Sequence, residues 1–324
     1  MPKQENSLPI RRRANKDSNP LAPRYEYFYA GRGTVVTDRR TLRRLGSVRV
    51  PPAYTDARFA DDPNATLLAT AIDGEGRKQS YYSARHKTSA SKSKFRDMLR
   101  FGEALPRIRA HVRRLLDSAD PDERAVGAAI ALLDRCRFRP GNTYYKKRYG
   151  SVGVTTMERK HVRFDVGGES AEIVFPGKKQ VEQKCSFRDE GAVRALREAM
   201  APENAKKQKM PSIKMIAREL QPFGVTPKQF RTWGANAEFM SARLRGLSRT
   251  EALEFAASAL GNTAKVSQHN YIAPAVFRYD FKTLGMPPDV KKAALFTKSE
   301  RVLLAIVRED EDGGMASVKR EGPA

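Results

Sequence analysis

The sequence predicts an α+β protein: a small antiparallel β-rich N-terminal domain, then a larger, mainly α-helical domain carrying a three-stranded β meander. Three observations predict it. At 324 residues the chain exceeds the usual size of one hydrophobic core, so two domains are expected. From Tyr25 to about residue 83, short apolar runs are broken by Gly, Asp and Pro. Beyond Phe95 the apolar period becomes helical, and it returns to strand character only over 161–187.

In chain order, residues 1–22 read as a disordered basic arm, with Arg11, Arg12 and Arg13 among polar residues and prolines. The N-terminal domain is placed at 23–90. Its clearest signal is a hairpin, an apolar run ending at Ile72 joined by Asp73-Gly74-Glu75-Gly76 to a strand beginning at Arg77. Residues 86–94, polar throughout, read as boundary and hinge.

The second domain is placed at 91–308. Phe95, Met98, Leu99 and 101–105 open a helix expected to break at Pro106, and Ile108, Val112, Leu115 and Leu116 continue its face. Asp120-Pro121 starts another helix. Phe138-Arg139-Pro140-Gly141-Asn142 follows it, so Arg139 is set at a Pro-Gly break. Over 161–187 three strands turn at 165–168 and at Pro176-Gly177-Lys178-Lys179, which puts Lys178 at a hairpin tip.

Thr226-Pro227 caps a helix whose apolar stripe is Phe230, Trp233, Ala237, Met240 and Leu244, with Arg231 about 100° away on the boundary between core and solvent. Ser248 and Glu251 form a capping box for a helix ending at Gly261. Were one helix to run from Asn262 to Tyr271, nine steps of ~100° would set them on opposite faces. Both can reach one group only if Asn262 acts from the loop before the helix. Residues 309–324 read as a disordered tail.

Lys and Arg total 61 against 37 acidic residues, a net charge of +24. Such an excess calls for a polyanion, and phosphate backbones fit it best, because cations that neutralise them release condensed counterions. No apolar run approaches the roughly 20 residues that span a bilayer, and the polar, basic start lacks the apolar region of a signal peptide. An intracellular protein is expected. The two cysteines, Cys136 and Cys185, read as reduced, buried thiols, and the four histidines show no metal-ligand spacing.

Four separated pieces share one pattern: 138–142 around Arg139, 175–178 ending in Lys178, 230–234 around Arg231, and 261–271 from Gly261-Asn262-Thr263 to Tyr271. In sequence order they resemble the catalytic motifs of type IB DNA topoisomerases, of the small poxvirus and bacterial form. Residues 50–56, Gly76-Arg77-Lys78-Gln79 and 101–107 resemble that family too, and the resemblance runs from about 25 to 277. It implies that Tyr271 attacks a DNA phosphodiester, that Arg139 and Arg231 neutralise the charge gathering on the phosphoryl oxygens, and that Lys178 protonates the leaving 5′ oxygen.

Many family members carry histidine where this chain has Asn262. An asparagine donates a hydrogen bond but carries no proton, so Asn262 is expected to stabilise the oxyanion. His269 ranks below it, because two residues before Tyr271 it faces elsewhere on a helix. Arg77, Lys78, Gln79, Tyr81 and Tyr82 on the hairpin strand, and Tyr145 in the basic aromatic segment 143–149, are the candidate DNA contacts. Ser80 stands where the family commonly has tyrosine. The resemblance further implies no required ATP, metal or other cofactor, duplex DNA as partner, action as a monomer, and a site at the nucleoid or, for a virus, in virion or host interior. Two other readings use the same residues: a tyrosine site-specific recombinase, whose N-terminal domain would be helical, and a non-catalytic basic nucleic-acid-binding protein.

Overall fold

The computed structural model describes residues 8–14, 24–201, 210–286 and 295–311. The chain divides into two compact units, 1–94 and 95–324.

The first unit is an antiparallel sheet in the order β2-β1-β3-β4-β5, built from β1 (Ile10–Ala14), β2 (Tyr25–Tyr29), β3 (Thr55–Phe59), β4 (Leu67–Ile72) and β5 (Lys78–Tyr82). Helix α1 (Arg39–Ser47), begun by the Asp38 side chain accepting from the Thr41 N–H, contributes Leu45 to a core with Ile10, Val36, Val50, Phe59, Ala69 and Ala71. Sequence reading placed β1 in a disordered arm, and this is corrected. Average composition hid an alternation in which Ile10 is fully buried and Arg12 is put to structural use. The Arg12 guanidinium donates to the carbonyls of Val50 at 2.7 Å and Pro51 at 2.9 Å and lies 4.4 Å from the Tyr25 ring centre. Helix α1 is a further element the sequence reading lacked.

The polar stretch 86–94, expected as boundary and hinge, ends where the two units divide and is helical. It belongs to α2 (Ala84–Leu116): it holds no Gly or Pro to break a helix, and Ala and Lys are good helix formers. Nor does Pro106 break α2. One interior proline costs about 3 kcal/mol. The buried face of Met98, Phe101, Leu105, Ile108 and Val112 offsets it, at roughly 1.5–3 kcal/mol per side chain.

The second unit's core gathers α2 from Phe95 onward, α3 (Pro121–Cys136), α5 (Glu190–Ala199), α6 (Ile213–Leu220), α7 (Pro227–Leu244), α8 (Arg249–Ala259) and the meander β6-β7-β8, formed by β6 (Val162–Phe164), β7 (Ser170–Pro176) and β8 (Glu182–Arg188). Shorter helices complete it: α4 (Thr143–Tyr149), α9 (Ala264–Asn270), α10 (Pro274–Arg278) and α11 (Phe281–Leu284). Helix α12 (Lys298–Glu311) continues past the expected boundary at 308. Its Glu300, 5% exposed, accepts from Arg109 at 2.7 Å and from the Trp233 indole N–H at 3.2 Å, while Arg109 also donates to Asp134 at 2.7 Å. These bonds tie α12, α2 and α3 to the middle of α7.

Cys136 and Cys185 form a disulfide with Cα atoms 5.7 Å apart, which corrects the expectation of free thiols. The end of α3 lies beside β8, and a separation of 49 residues conceals that neighbourhood in the sequence. Among the described residues no helix is long and apolar enough to cross a membrane.

Candidate active site

Helix α7 is the floor of the site. Its Thr226–Gln229 capping box and Pro227 start it where the sequence signals do, and its core face buries Phe230, Trp233 and Ala237. Arg231 was expected on the boundary with solvent, but it is only 3% exposed. The groups that bury it arrive from other elements. Arg231 Nη1 donates to the Arg137 carbonyl at 2.6 Å, Nη2 to the Leu260 carbonyl, and Nε to the Tyr271 hydroxyl oxygen at 3.3 Å. Burial, followed by the like charge of Arg139, lowers its pKa to about 10, and at neutral pH it keeps its charge.

Tyr271 is the residue that ends α9. Its N–H donates to the Ser267 carbonyl at 2.9 Å, and its ring centre lies 5.4 Å from the Arg231 guanidinium carbon. Burial alone would raise the phenol's pKa, but the charges and hydrogen bonds of Arg231 and then Arg139 outweigh it and hold the pKa below the ordinary tyrosine value.

Arg139 leaves α3 through Arg137, which adopts a left-handed conformation at the helix end. Its segment is pinned on both sides. The Val154 N–H donates to the Arg139 carbonyl at 3.0 Å, and Phe138 packs edge-on against Phe175 of β7 at 4.7 Å. Gly153 permits this approach, since a Cβ there would lie 2.6 Å from the Arg139 carbonyl oxygen. Arg139 Nη2 donates to Asn262 Oδ1 at 3.0 Å.

Asn262 sits where helical arithmetic required it, in the turn between α8 and α9. Thr263 is the cap of α9, and the Asn262 N–H donates to the Ala257 carbonyl at 2.9 Å. Its Nδ2 is buried and has no partner among the described residues, an unspent donor on the side chain that holds Arg139. His269 is exposed, with Nδ1 3.0 Å from the Lys265 carbonyl of its own helix.

The structure thus brings together Arg139, Arg231, Asn262 and Tyr271. Lys178 stands apart. It begins the short turn between β7 and β8, exposed, and hydrogen-bonds to none of those four. Two further residues escaped sequence reading. Asn236, fully buried on α7, donates from Nδ2 to the Tyr271 carbonyl at 2.8 Å and accepts from the Ala273 N–H at 2.8 Å, so the floor helix clamps the backbone on both sides of Ile272. The available signal was an asparagine within the apolar face of α7. Gln183, 6% exposed on β8, packs its side chain against Gly177 and Gly261, the residues immediately before Lys178 and Asn262. Nothing in the sequence pointed to it.

Among the candidate DNA contacts, Tyr145 on α4 is 51% exposed, with Tyr149 stacked on it at 6.1 Å. On β5 the candidates split between faces. Lys78 and Tyr82 are exposed, while Gln79 and Tyr81 are half-buried on the other face and Tyr81 packs against the sheet core. Arg77 is in ion pairs with Asp73 at 2.7 Å and Glu75 at 2.6 Å.

A buried Arg231 and a half-buried Arg139 converging on a phenol, with an amide beside Arg139, suit a class of enzymes that act on phosphodiesters. The comparisons with known proteins carry that class to a family. Residues 83–286 match the catalytic core of eukaryotic DNA topoisomerase I, and residues 24–73 match the N-terminal domain of bacterial DNA topoisomerase IB. The chain belongs to the type IB DNA topoisomerases, and it is an enzyme whose substrate is DNA. Among its relatives, the DNA topoisomerase 1B of Acanthamoeba polyphaga mimivirus is 25% identical over 240 residues, 68% of this chain and 70% of that one. The DNA topoisomerase 1 of Rabbit fibroma virus (strain Kasza) is 20% identical over 258 residues, 74% and 81% of the two chains.

Proposed function

We propose that the protein relaxes supercoiled duplex DNA by transient cleavage of one strand. Tyr271 Oη attacks a backbone phosphorus, a P–Oη bond forms as the P–O5′ bond breaks, and a 3′-phosphotyrosyl link remains beside a free 5′-hydroxyl strand. The phenol gives its proton to solvent, and the leaving 5′ oxygen gains one from Lys178. Religation reverses each step, so one phosphoester replaces another throughout. The reaction thereby conserves bond energy and proceeds without ATP. Side chains supply the cations, so no metal or other cofactor enters, and one copy of the chain suffices.

The contact between Arg231 Nε and the Tyr271 hydroxyl at 3.3 Å, with Arg139 anchored on Asn262, is the observation that carries this reading. It sets the nucleophile among donors aimed where phosphoryl charge would develop, each such donor being worth roughly 10²- to 10³-fold in rate. Asn262 Nδ2 would donate to a phosphoryl oxygen.

The test is an SDS-resistant DNA adduct and plasmid relaxation in EDTA without ATP. The wild-type chain should give both, and Tyr271→Phe should abolish both while duplex binding persists. An adduct surviving in Tyr271→Phe would remove Tyr271 from the chemistry. Strand exchange between two specific sites without relaxation would make the protein a recombinase.

A further inference from the structure

Gln183 is a buried amide on β8, paired across the meander with Phe175 of β7. The Phe175 ring packs on Phe138, the residue before Arg139, so the strand pair beneath Gln183 is tied to the segment that carries Arg139. The side chain reaches two turns. One contains Gly177 and opens the Lys178 hairpin, and the other contains Gly261 and leads into Asn262.

The two glycines show how closely Gln183 is fitted between them. A Cβ on Gly177 would lie 2.7 Å from Gln183 Cγ, and one on Gly261 would lie 2.1 Å from Gln183 Nε2. Gly261 has φ +57°, which calls for glycine on its own account. Gly177 has φ −87°, open to any residue, so what excludes a side chain there is Gln183 together with the Val181 carbonyl oxygen, 3.1 Å from the same Cβ. The amide is held only loosely, Nε2 donating to the Glu182 carbonyl at 3.1 Å and to the Val181 carbonyl at 3.4 Å. Packing, more than hydrogen bonding, is what this side chain supplies.

The turns on its two sides are held differently. The Gly261 turn is fixed without Gln183, since the Gly261 N–H donates to the Ser258 carbonyl at 2.9 Å, the Asn262 N–H to the Ala257 carbonyl at 2.9 Å, and Asn262 Oδ1 accepts from Arg139 at 3.0 Å. The Lys178 turn closes mainly on itself, through the Gly177 N–H to the Val181 carbonyl at 2.9 Å and the Gln180 N–H to the Gly177 carbonyl at 3.1 Å. Lys179 and Gln180 both have left-handed φ, +62° and +60°. Residues with a side chain adopt that form only where their surroundings impose it.

We propose that Gln183 is a positioning residue: its side chain is a spacer that rests on the fixed Gly261 turn and sets the place of the Lys178 hairpin, and with it the ammonium that protonates the leaving 5′ oxygen. The proposal rests on the reading of Lys178 as general acid. If Gln183 only filled space in the fold, its loss would lower stability and slow every substrate alike.

The experiment is single-turnover cleavage by the full chain of a duplex carrying either oxygen or sulfur at the leaving 5′ position. Sulfur leaves without a proton, so a defect confined to the general acid disappears with it. Gln183→Ala should slow cleavage of the oxygen substrate by roughly 10- to 10²-fold, the scale of a misplacement of about 1 Å, and should cleave the sulfur substrate within about three-fold of wild type. Gln183→Met, of equal length, fills the same space and should stay within about three-fold of wild type on both. Equal slowing on the two substrates, no slowing on oxygen, or Gln183→Met as slow as Gln183→Ala would overturn the proposal. Should Gln183→Ala fail to fold, Gly177→Ala decides, because its Cβ pushes the hairpin off an intact Gln183 and should give the same contrast between oxygen and sulfur. Full activity of Gly177→Ala on oxygen would then overturn it.

A Lys178→Ala chain that sulfur does not restore would count against the general acid, and hydrogen exchange then reads the spacer by itself. The Gly177 and Gln180 N–H groups should exchange about ten-fold or more faster in Gln183→Ala than in wild type, while the Asn262 N–H keeps its rate. Unchanged exchange at Gly177 and Gln180, or protection lost at Asn262, would overturn the proposal.

Discussion

In the proposed reaction Arg231 and Lys178 bring the same charge to the same phosphate, yet the fold treats them in opposite ways. Arg231 is on the floor helix, 3% exposed, with three of its five N–H donors on two backbone carbonyls and the Tyr271 hydroxyl. Lys178 stands exposed at a hairpin turn and bonds to none of the other site residues. The difference follows from what each is asked to do. A cation that stabilises developing charge is most effective when it needs no reorganisation, and backbone carbonyls hold it without neutralising it. A proton donor must follow a leaving oxygen whose place only bound DNA defines. Lys is the suitable residue there, a point charge on a flexible stem, whereas Arg is the rigid fork.

The comparison can be broken from either side, and the largest expected effect is on Lys178. Lys178→Ala should slow adduct formation by roughly 10²- to 10⁴-fold, the range for a lost general acid. Its thermal midpoint should not move, because an exposed side chain without partners among the described residues contributes within about 0.5 kcal/mol. A substrate whose leaving 5′ oxygen is replaced by sulfur needs no proton, and should restore most of the rate. No recovery with that substrate would take the general acid away from Lys178.

Arg231→Ala should cost roughly 10²- to 10³-fold in cleavage. Unlike Lys178→Ala it should also lower stability, by about 1–3 kcal/mol, since the Arg137 and Leu260 carbonyls lose their donor. Its pH profile separates the two variants further. The rate should rise with pH as the Tyr271 phenol ionises. Arg231 helps hold that pKa below the ordinary tyrosine value, so removing it should displace the rise to higher pH. An unchanged profile would mean that Arg231 does not act on the nucleophile.

The disulfide offers a smaller perturbation that reaches both regions, since Cys136 lies three residues before Arg139 and Cys185 is on the strand that leaves the Lys178 hairpin. Thiol titration of the unreduced, unfolded chain should find no free thiol. Cys136→Ser with Cys185→Ser should cost about 2–4 kcal/mol, the usual range for one cross-link. Two titratable thiols would refute the bond. The mildest change is Asn262→His, which keeps a donor but adds a group titrating near pH 6.5, so cleavage should acquire a dependence on pH between about 5.5 and 7.5 that the asparagine enzyme lacks. A flat profile would place position 262 outside the reacting groups.

Much of the fold was legible because it rests on local physics. The Asp73–Gly76 hairpin, the helix cap at Thr226 and the capping box at Ser248, the turn that puts Lys178 at a hairpin tip, and a place for Asn262 in the loop before α9 all follow from turn chemistry and the 3.6-residue period. Where local rules compete with packing, they lost. Pro106 was overruled by the apolar face around it, and the arginines of β1 by the burial of Ile10 and the carbonyls that hold Arg12.

What the sequence determined by itself was the identity and order of Arg139, Lys178, Arg231, Asn262 and Tyr271, together with a charge of +24 that demands a polyanion. Only the tertiary structure decided how deep Arg231 lies, that Asn236 clamps the backbone at Tyr271, that Cys136 meets Cys185, and that the Gln79 amide faces Asp73. The physical reason is range. Caps, turns and periodicity act within a few residues, whereas each of the others, even the one at Asp73, is fixed by a partner that folding brings to an atom several or many residues away.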